Sequence, residues 1–196
     1  MKALLSVLSL TFIFLLYLHA KYSKTGIDLT DEAFHYFLLQ SSKPGLPFIV
    51  YGNLFGPIIK IMDIGLAEIR MLSLLAHLLC GLFLALAIRL KLHSYSNKWS
   101  PIYTALITFS PLILYGIQGR VLSYNSLTFC LTALIISCLI ISSIHRNQFK
   151  GYTLVFVSAF LIGIQFEVKF PTFIILFMLV IFTILFYFKL TNLIVF

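Results

Sequence analysis

The chain has 196 residues, 61% of them hydrophobic and only 10% charged, with a mean hydropathy of +1.05. Soluble domains carry about a quarter charged residues, so this balance excludes a soluble globular domain, a secreted disulfide scaffold, a nucleic-acid module and a disordered tail. The net charge of +8 comes from 14 Lys and Arg against 6 Asp and Glu, and the basic residues stand between apolar stretches, as membrane-flanking anchors do. An all-α polytopic membrane protein remains, embedded in a lipid bilayer and without nucleic acid as a partner.

Spans are located by windows free of Asp, Glu, Lys and Arg, each close to the roughly 20 apolar residues that a membrane helix needs. The first, ALLSVLSLTFIFLLYLHA, lies between Lys2 and Lys21. It resembles a signal peptide, but Leu18 is bulky where a cut after Ala20 would want a small residue, so an uncleaved span is predicted. A long polar segment, residues 21–68, follows and holds Asp28, Asp31, Glu32, Asp63 and Glu68. Within it Gly26 breaks the chain, and Asp28 or Thr30 can cap a short helix with Asp31 and Glu32 in its first turn. That helix runs through Phe34, Tyr36, Phe37, Leu38 and Leu39 and stops before Pro44. Its many large apolar residues place it on the membrane surface. After the turn KPGLP, the segment FIVYGNLFGPIIKIM is expected to be interfacial too, and Asp63 can cap the next span.

Further windows complete a map of about six spans, near residues 3–20, 69–90, 101–118, 122–144, 151–167 and 171–188, in a single membrane domain over 1–196. The fifth window is the shortest, which puts Glu167 or Lys169 at an interface or a polar cavity. Ser123 and Asn125 have the chemistry of helix caps. Cys80, Cys130 and Cys138 all lie inside apolar stretches and read as packing residues, with neither a disulfide framework nor metal-ligand spacing. His77 reads as a hydrogen-bonded packing residue, and the Phe and Tyr content as lipid-facing bulk and interface belt.

With the N-terminus cytoplasmic, the short inner loops hold Arg89, Lys91, Lys98, Arg146 and Lys150, and the short outer ones only Arg120 and Lys169. Short loops are where the positive-inside rule has most force, so this orientation is expected, in the cell's inner (plasma) membrane. All six acidic residues then fall on the outer side or at its rim.

An acidic pair just after the first span, followed by an aromatic-rich surface helix (DEAFHYFLLQ), resembles the GT-C superfamily of integral-membrane glycosyltransferases. Its members include protein mannosyltransferase-like and lipid A aminoarabinose transferase-like enzymes. The segment PFIVYGNLFGPIIKIMDIGLAEIRMLSLLAHLL looks like the family's first loop and second span, and LSYNSLTF and GIQFEVKFPTFI fit the same order. The resemblance covers nearly all of this chain but about the N-terminal half of a typical member, so a truncated, split or minimal form is expected.

The resemblance implies a sugar moved from a polyprenyl-phosphate donor to an acceptor outside the cytoplasm, with a C-terminal half or another membrane subunit as a possible partner. It implies Asp31 as the catalytic acidic residue and Glu32 as its companion. Lys169, Arg70 and Arg120 would meet the donor phosphate, and Tyr124 and Asn125 a shared cavity. Such a reaction needs a base for the acceptor hydroxyl and positive charge for the departing phosphate. Plainer roles stand beside these: Asp31 and Glu32 as ordinary first-turn acids, Arg70, Arg120 and Lys169 as interfacial anchors. No cofactor and no protein-bound metal are predicted, although His35, one turn after Asp31, has the spacing to join the acidic pair around a divalent ion or to tune its protonation. The competing expectations are a non-catalytic multi-pass protein, such as a transport, flippase or accessory subunit, and an outer-face polymerase of lipid-linked glycan. Transporters show charges or broken helices at mid-span and internal repeats, whereas here the charges cluster at span ends.

Overall fold

A computed structural model of the protein describes residues 2–22, 36–37, 50–93, 100–111, 123–145 and 148–187. Among these there is helix and no strand. In chain order the helices are α1 (Lys2–Tyr22), α2 (Val50–Ile61), α3 (Leu66–His93), α4 (Pro101–Phe109), α5 (Tyr124–Ile144), α6 (Phe149–Val168) and α7 (Phe170–Tyr187). Tyr36 and Phe37, of the expected surface helix, are also helical; the rest of that helix lies outside the described residues.

Among the described residues, three helices are long and apolar enough to cross a membrane: α3, α5 over Asn125–Ile144, and α6. In α7 the stretch Phe170–Leu185 is apolar but shorter. With 28 residues, α3 extends about 42 Å at 1.5 Å per residue, beyond a hydrocarbon core of about 30 Å. Its polar ends fit that excess, with Glu68 in the first turn and Lys91 and His93 in the last, each on the side that the helix dipole favours.

Local chemistry accounts for the helix ends. Asp63, expected to cap the second span, instead closes α2. It adopts φ 50°, the left-handed conformation that ends helices. Ile64 N–H then donates to Ile59 O at 3.1 Å and Asp63 N–H to Lys60 O at 3.3 Å, and Ile64 packs against Ile59. The first backbone bond of α3 runs from Ile69 N–H to Gly65 O at 3.0 Å, so Gly65 stands where the cap of α3 belongs. At α5 the capping expectation holds for Ser123, whose Oγ accepts from Ser126 N–H at 3.2 Å. Between α6 and α7 a single residue turns the chain. Lys169 is extended, with φ −157° and ψ 96°; its N–H donates to Gln165 O at 2.8 Å and its carbonyl accepts from Phe173 N–H at 3.1 Å. Pro171 has no N–H to give to Glu167 O, so the α6 ladder cannot run on.

The helices divide into two compact units, Met1–Leu79 with Phe109–Leu127, and Cys80–Thr108 with Thr128–Phe196. In the first, Ile59 and Ile69 gather Tyr36, Phe55, Ile64, Leu66 and Leu127. A second cluster there sets Leu74 and Leu78 against Phe12, Leu15, Leu16 and Phe109, with the Phe12 and Phe109 rings stacked at 4.0 Å.

In the second unit, three helices pack along one seam of Leu131, Ile135 and Leu139 from α5, Ile162 from α6, and Leu176 and Val180 from α7. The pairs fix the helix directions. The Cys80 and Cys130 thiols share a hydrogen bond, and Lys91 Nζ donates to Ser143 Oγ at 2.9 Å, so α3 and α5 run parallel. Gln165 meets Thr128 and Cys138 meets Ser158, so α6 runs back along α5. Phe166 and Phe173 meet edge to face at 5.0 Å as α7 folds back on α6. Phe156, Phe160, Ile175 and Met178 stay exposed, as a lipid-facing surface would be.

Apolar side chains gain little from leaving lipid for protein, so membrane helices associate through close packing of small residues. Ser142, Ser158 and Gly151 are buried where α5 meets α6. A Cβ on Gly151 would run into the backbone carbonyls of His145 and Ser142. Gly151→Val should therefore destabilise the α5–α6 pair by about 1–3 kcal/mol, the usual range for overpacking. Thermal unfolding in detergent measures it; Gly163, with open space around its Cβ position, is the control that should tolerate the same change.

Candidate functional site

Two polar stations interrupt these apolar helices, one in each unit. In the first unit α3 presents two different faces. Arg70, Ser73 and His77 recur at helical spacing on the buried face, with exposures of 1%, 0% and 4%. His77 Nδ1–H donates to Ser73 O at 2.7 Å, the packing role expected of it. The Ser73 hydroxyl is buried without a partner, which costs about 1–3 kcal/mol. Arg70 is the largest fully buried side chain among the described residues, and its guanidinium is enclosed by protein instead of reaching outward as an interfacial anchor does.

The start of α5 lies beside this face, because Leu127 packs against the cluster that contains Ile69. Asn125 is half-buried there, while Tyr124 opens the helix and its side chain lies outside the described residues. A helix start is electropositive, and the buried Arg70 lies on the neighbouring face of α3. The opposite face of α3 is different. Met71, Leu72 and Leu75, with Met62, Ile64 and Ala67, line an open apolar groove of about 400 Å³ with Glu68 on its rim.

In the second unit, Gln165 is 0% exposed on α6, and its Nε2 donates to Thr128 Oγ1 on α5 at 3.2 Å. Gln165 Oε1 and Thr132 Oγ1 are both buried without a partner. Lys169 is half-buried just beyond, at the α6–α7 link.

Of the residues singled out from the sequence, Arg70, Tyr124 and Asn125 thus belong to one unit and Lys169 to the other. Asp31, Glu32, His35 and Arg120 lie outside the described residues. Among the described residues no three His, Cys, Asp or Glu side chains converge as a metal site would require. Sequence reading overlooked Ser73, Thr128, Thr132 and Gln165. A search for charges passes over a neutral amide, yet a lone Gln within an apolar window was the available signal, because an amide in hydrocarbon needs a partner.

The geometry and composition together define a protein that is helical throughout its regular described elements and whose apolar helices suit a membrane. Comparison with protein-family models, with curated proteins and with solved structures finds no match to this chain.

Proposed function

We propose that the protein is a membrane glycosyltransferase of the GT-C kind, which crosses the inner membrane about six times and moves a sugar from a polyprenyl-phosphate donor to an acceptor outside the cytoplasm. One observation carries this reading: Arg70 is 1% exposed at the start of the longest apolar helix. A buried guanidinium must have its desolvation offset by an anion or hydrogen-bond acceptors, and its planar fork matches the oxygens of a phosphate.

Other features agree with it. The unpartnered Ser73 hydroxyl one turn on offers a further donor, and the apolar groove on the other face of α3 suits a prenyl chain. Parallel α3 and α5, with α6 running back, are directions that alternate crossings require. In this scheme Asp31 takes the proton of the acceptor hydroxyl, and Glu32 stands beside it. Arg70, with Arg120, offsets charge on the departing phosphate, and Tyr124, Asn125 and His35 line the cavity. The surface helices of residues 21–68 hold the acidic pair at the outer leaflet.

A topology reporter tests the arrangement on which this depends. Alkaline phosphatase fused after Ser42 should be active, which requires export, and green fluorescent protein at the same point should stay dark. The reverse pattern puts Asp31 and Glu32 in the cytoplasm and overturns the proposal.

A further inference from the structure

Basic side chains of the second unit gather where three helix ends meet. There α3 finishes with Arg89, Lys91 and His93, His145 follows the last turn of α5, and α6 opens with Lys150. Lys91 Nζ donates to Ser143 Oγ at 2.9 Å, and Ser143 Oγ donates to Ile140 O at 2.7 Å. The last turn of α3 is thereby fastened to that of α5. The turn into α6 is held by its own bonds: Gln148 N–H donates to His145 O at 3.0 Å, and His145 Nδ1–H to Gln148 Oε1 at 2.9 Å. Lys150 follows Ser143 by seven residues with the chain reversed between them, so the basic helix ends share one level. Arg89, His93 and Lys150 are exposed, and Lys91 is half-buried.

No carboxylate of this unit stands near them. The sequence holds no acid between Glu68 and Glu167, and the first turn of α6, where the helix dipole favours acids, has none. Glu167 is at the far end of α6, about 26 Å along the axis from Lys150 at 1.5 Å per residue. There it stands two residues from Lys169. One end of the unit thus carries both signs of charge and the other only positive charge.

The surroundings point to the partner. Leu90, Leu92, Phe149 and Tyr152 lie exposed among these basic residues. A nucleic acid or an acidic protein has nothing to match so apolar a border. At the edge of a bilayer, alkyl and aromatic side chains enter the acyl region while basic ones reach the phosphates. Guanidinium and ammonium groups bond phosphate oxygens well. We infer that this end of the second unit is a binding surface for anionic phospholipid, with Arg89, Lys91 and Lys150 on the headgroup phosphates. It fastens α3, α5 and α6 to a negatively charged leaflet and is independent of sugar transfer.

Selectivity is the signature, since a zwitterionic lipid carries the same phosphate but cancels its charge. The full chain is reconstituted in equal phosphatidylglycerol and phosphatidylcholine and extracted in mild detergent, and the retained lipid is counted by native mass spectrometry. Each basic residue contributes about fivefold, so phosphatidylglycerol should be preferred by about 10²-fold. Arg89→Gln combined with Lys150→Gln, both at exposed positions, should cut that preference about 25-fold. Arg89→Lys with Lys150→Arg keeps both charges and should retain it. Lys60→Gln, an exposed charge at the end of α2 in the other unit, should leave it within about twofold. Equal retention of the two lipids overturns the inference, as does a preference that survives the double Gln variant. A loss just as large in Lys60→Gln overturns it too, because the preference would then follow net charge and not this surface.

Discussion

Asp31→Asn should lower sugar transfer by about 10²–10⁴-fold, the range that a positioned general base contributes, while the chain still inserts into the membrane. Asn keeps the shape of the side chain and removes the basic oxygen. The competing role, an acid in the first turn of a surface helix, is worth about 0.3–1 kcal/mol of helix stability and involves no proton transfer. The two roles therefore differ in kind and by orders of magnitude. Transfer from a radiolabelled polyprenyl-phosphate sugar in reconstituted liposomes, with insertion checked by protease protection, separates them. Unchanged transfer removes Asp31 from the chemistry. Glu32→Gln should have a smaller effect, since only one carboxylate need take the proton.

Arg70→Gln should reduce transfer by about 10²–10³-fold, as removal of one preorganised donor from a developing negative charge does. Its side chain is 1% exposed, so its charge acts in a medium where water screens little. Arg70→Lys keeps the charge but loses the two-pronged geometry, and transfer should fall between the two. Because Arg70 also packs within the protein, thermal stability must be followed in parallel. A packing role predicts that both variants lose stability in step with activity, and that raising donor concentration recovers nothing. A phosphate-binding role predicts a raised KM for the donor, partly relieved in the Lys variant.

The helices were legible in the sequence because charge is so costly in hydrocarbon that apolar windows announce themselves. The expected spans 69–90 and 122–144 correspond to Leu66–His93 of α3 and Tyr124–Ile144 of α5 to within about a turn at each end, and the Ser123 cap was readable because a serine hydroxyl satisfies backbone N–H groups wherever a helix opens. Asp63 was read at the wrong helix. An acid between two helices can cap the second or close the first, and only φ distinguishes them. Arg70 stood equally as anchor or as ligand-binding residue, since a basic residue at a span end has the same spacing in both cases. Gln165 escaped notice because it carries no charge.

Composition and charge spacing alone determined that the chain is helical and apolar enough for a membrane, since both follow from the cost of moving each residue out of water. Which faces meet was decided only in three dimensions: Arg70 turned into protein, Thr132 deprived of its usual carbonyl, Gly151 pressed against the turn before it. Helices that are apolar on every side carry no amphipathic stripe to mark an inner face. Their pairing depends on small side chains and on single hydrogen bonds between partners distant in sequence, such as Gln165 with Thr128.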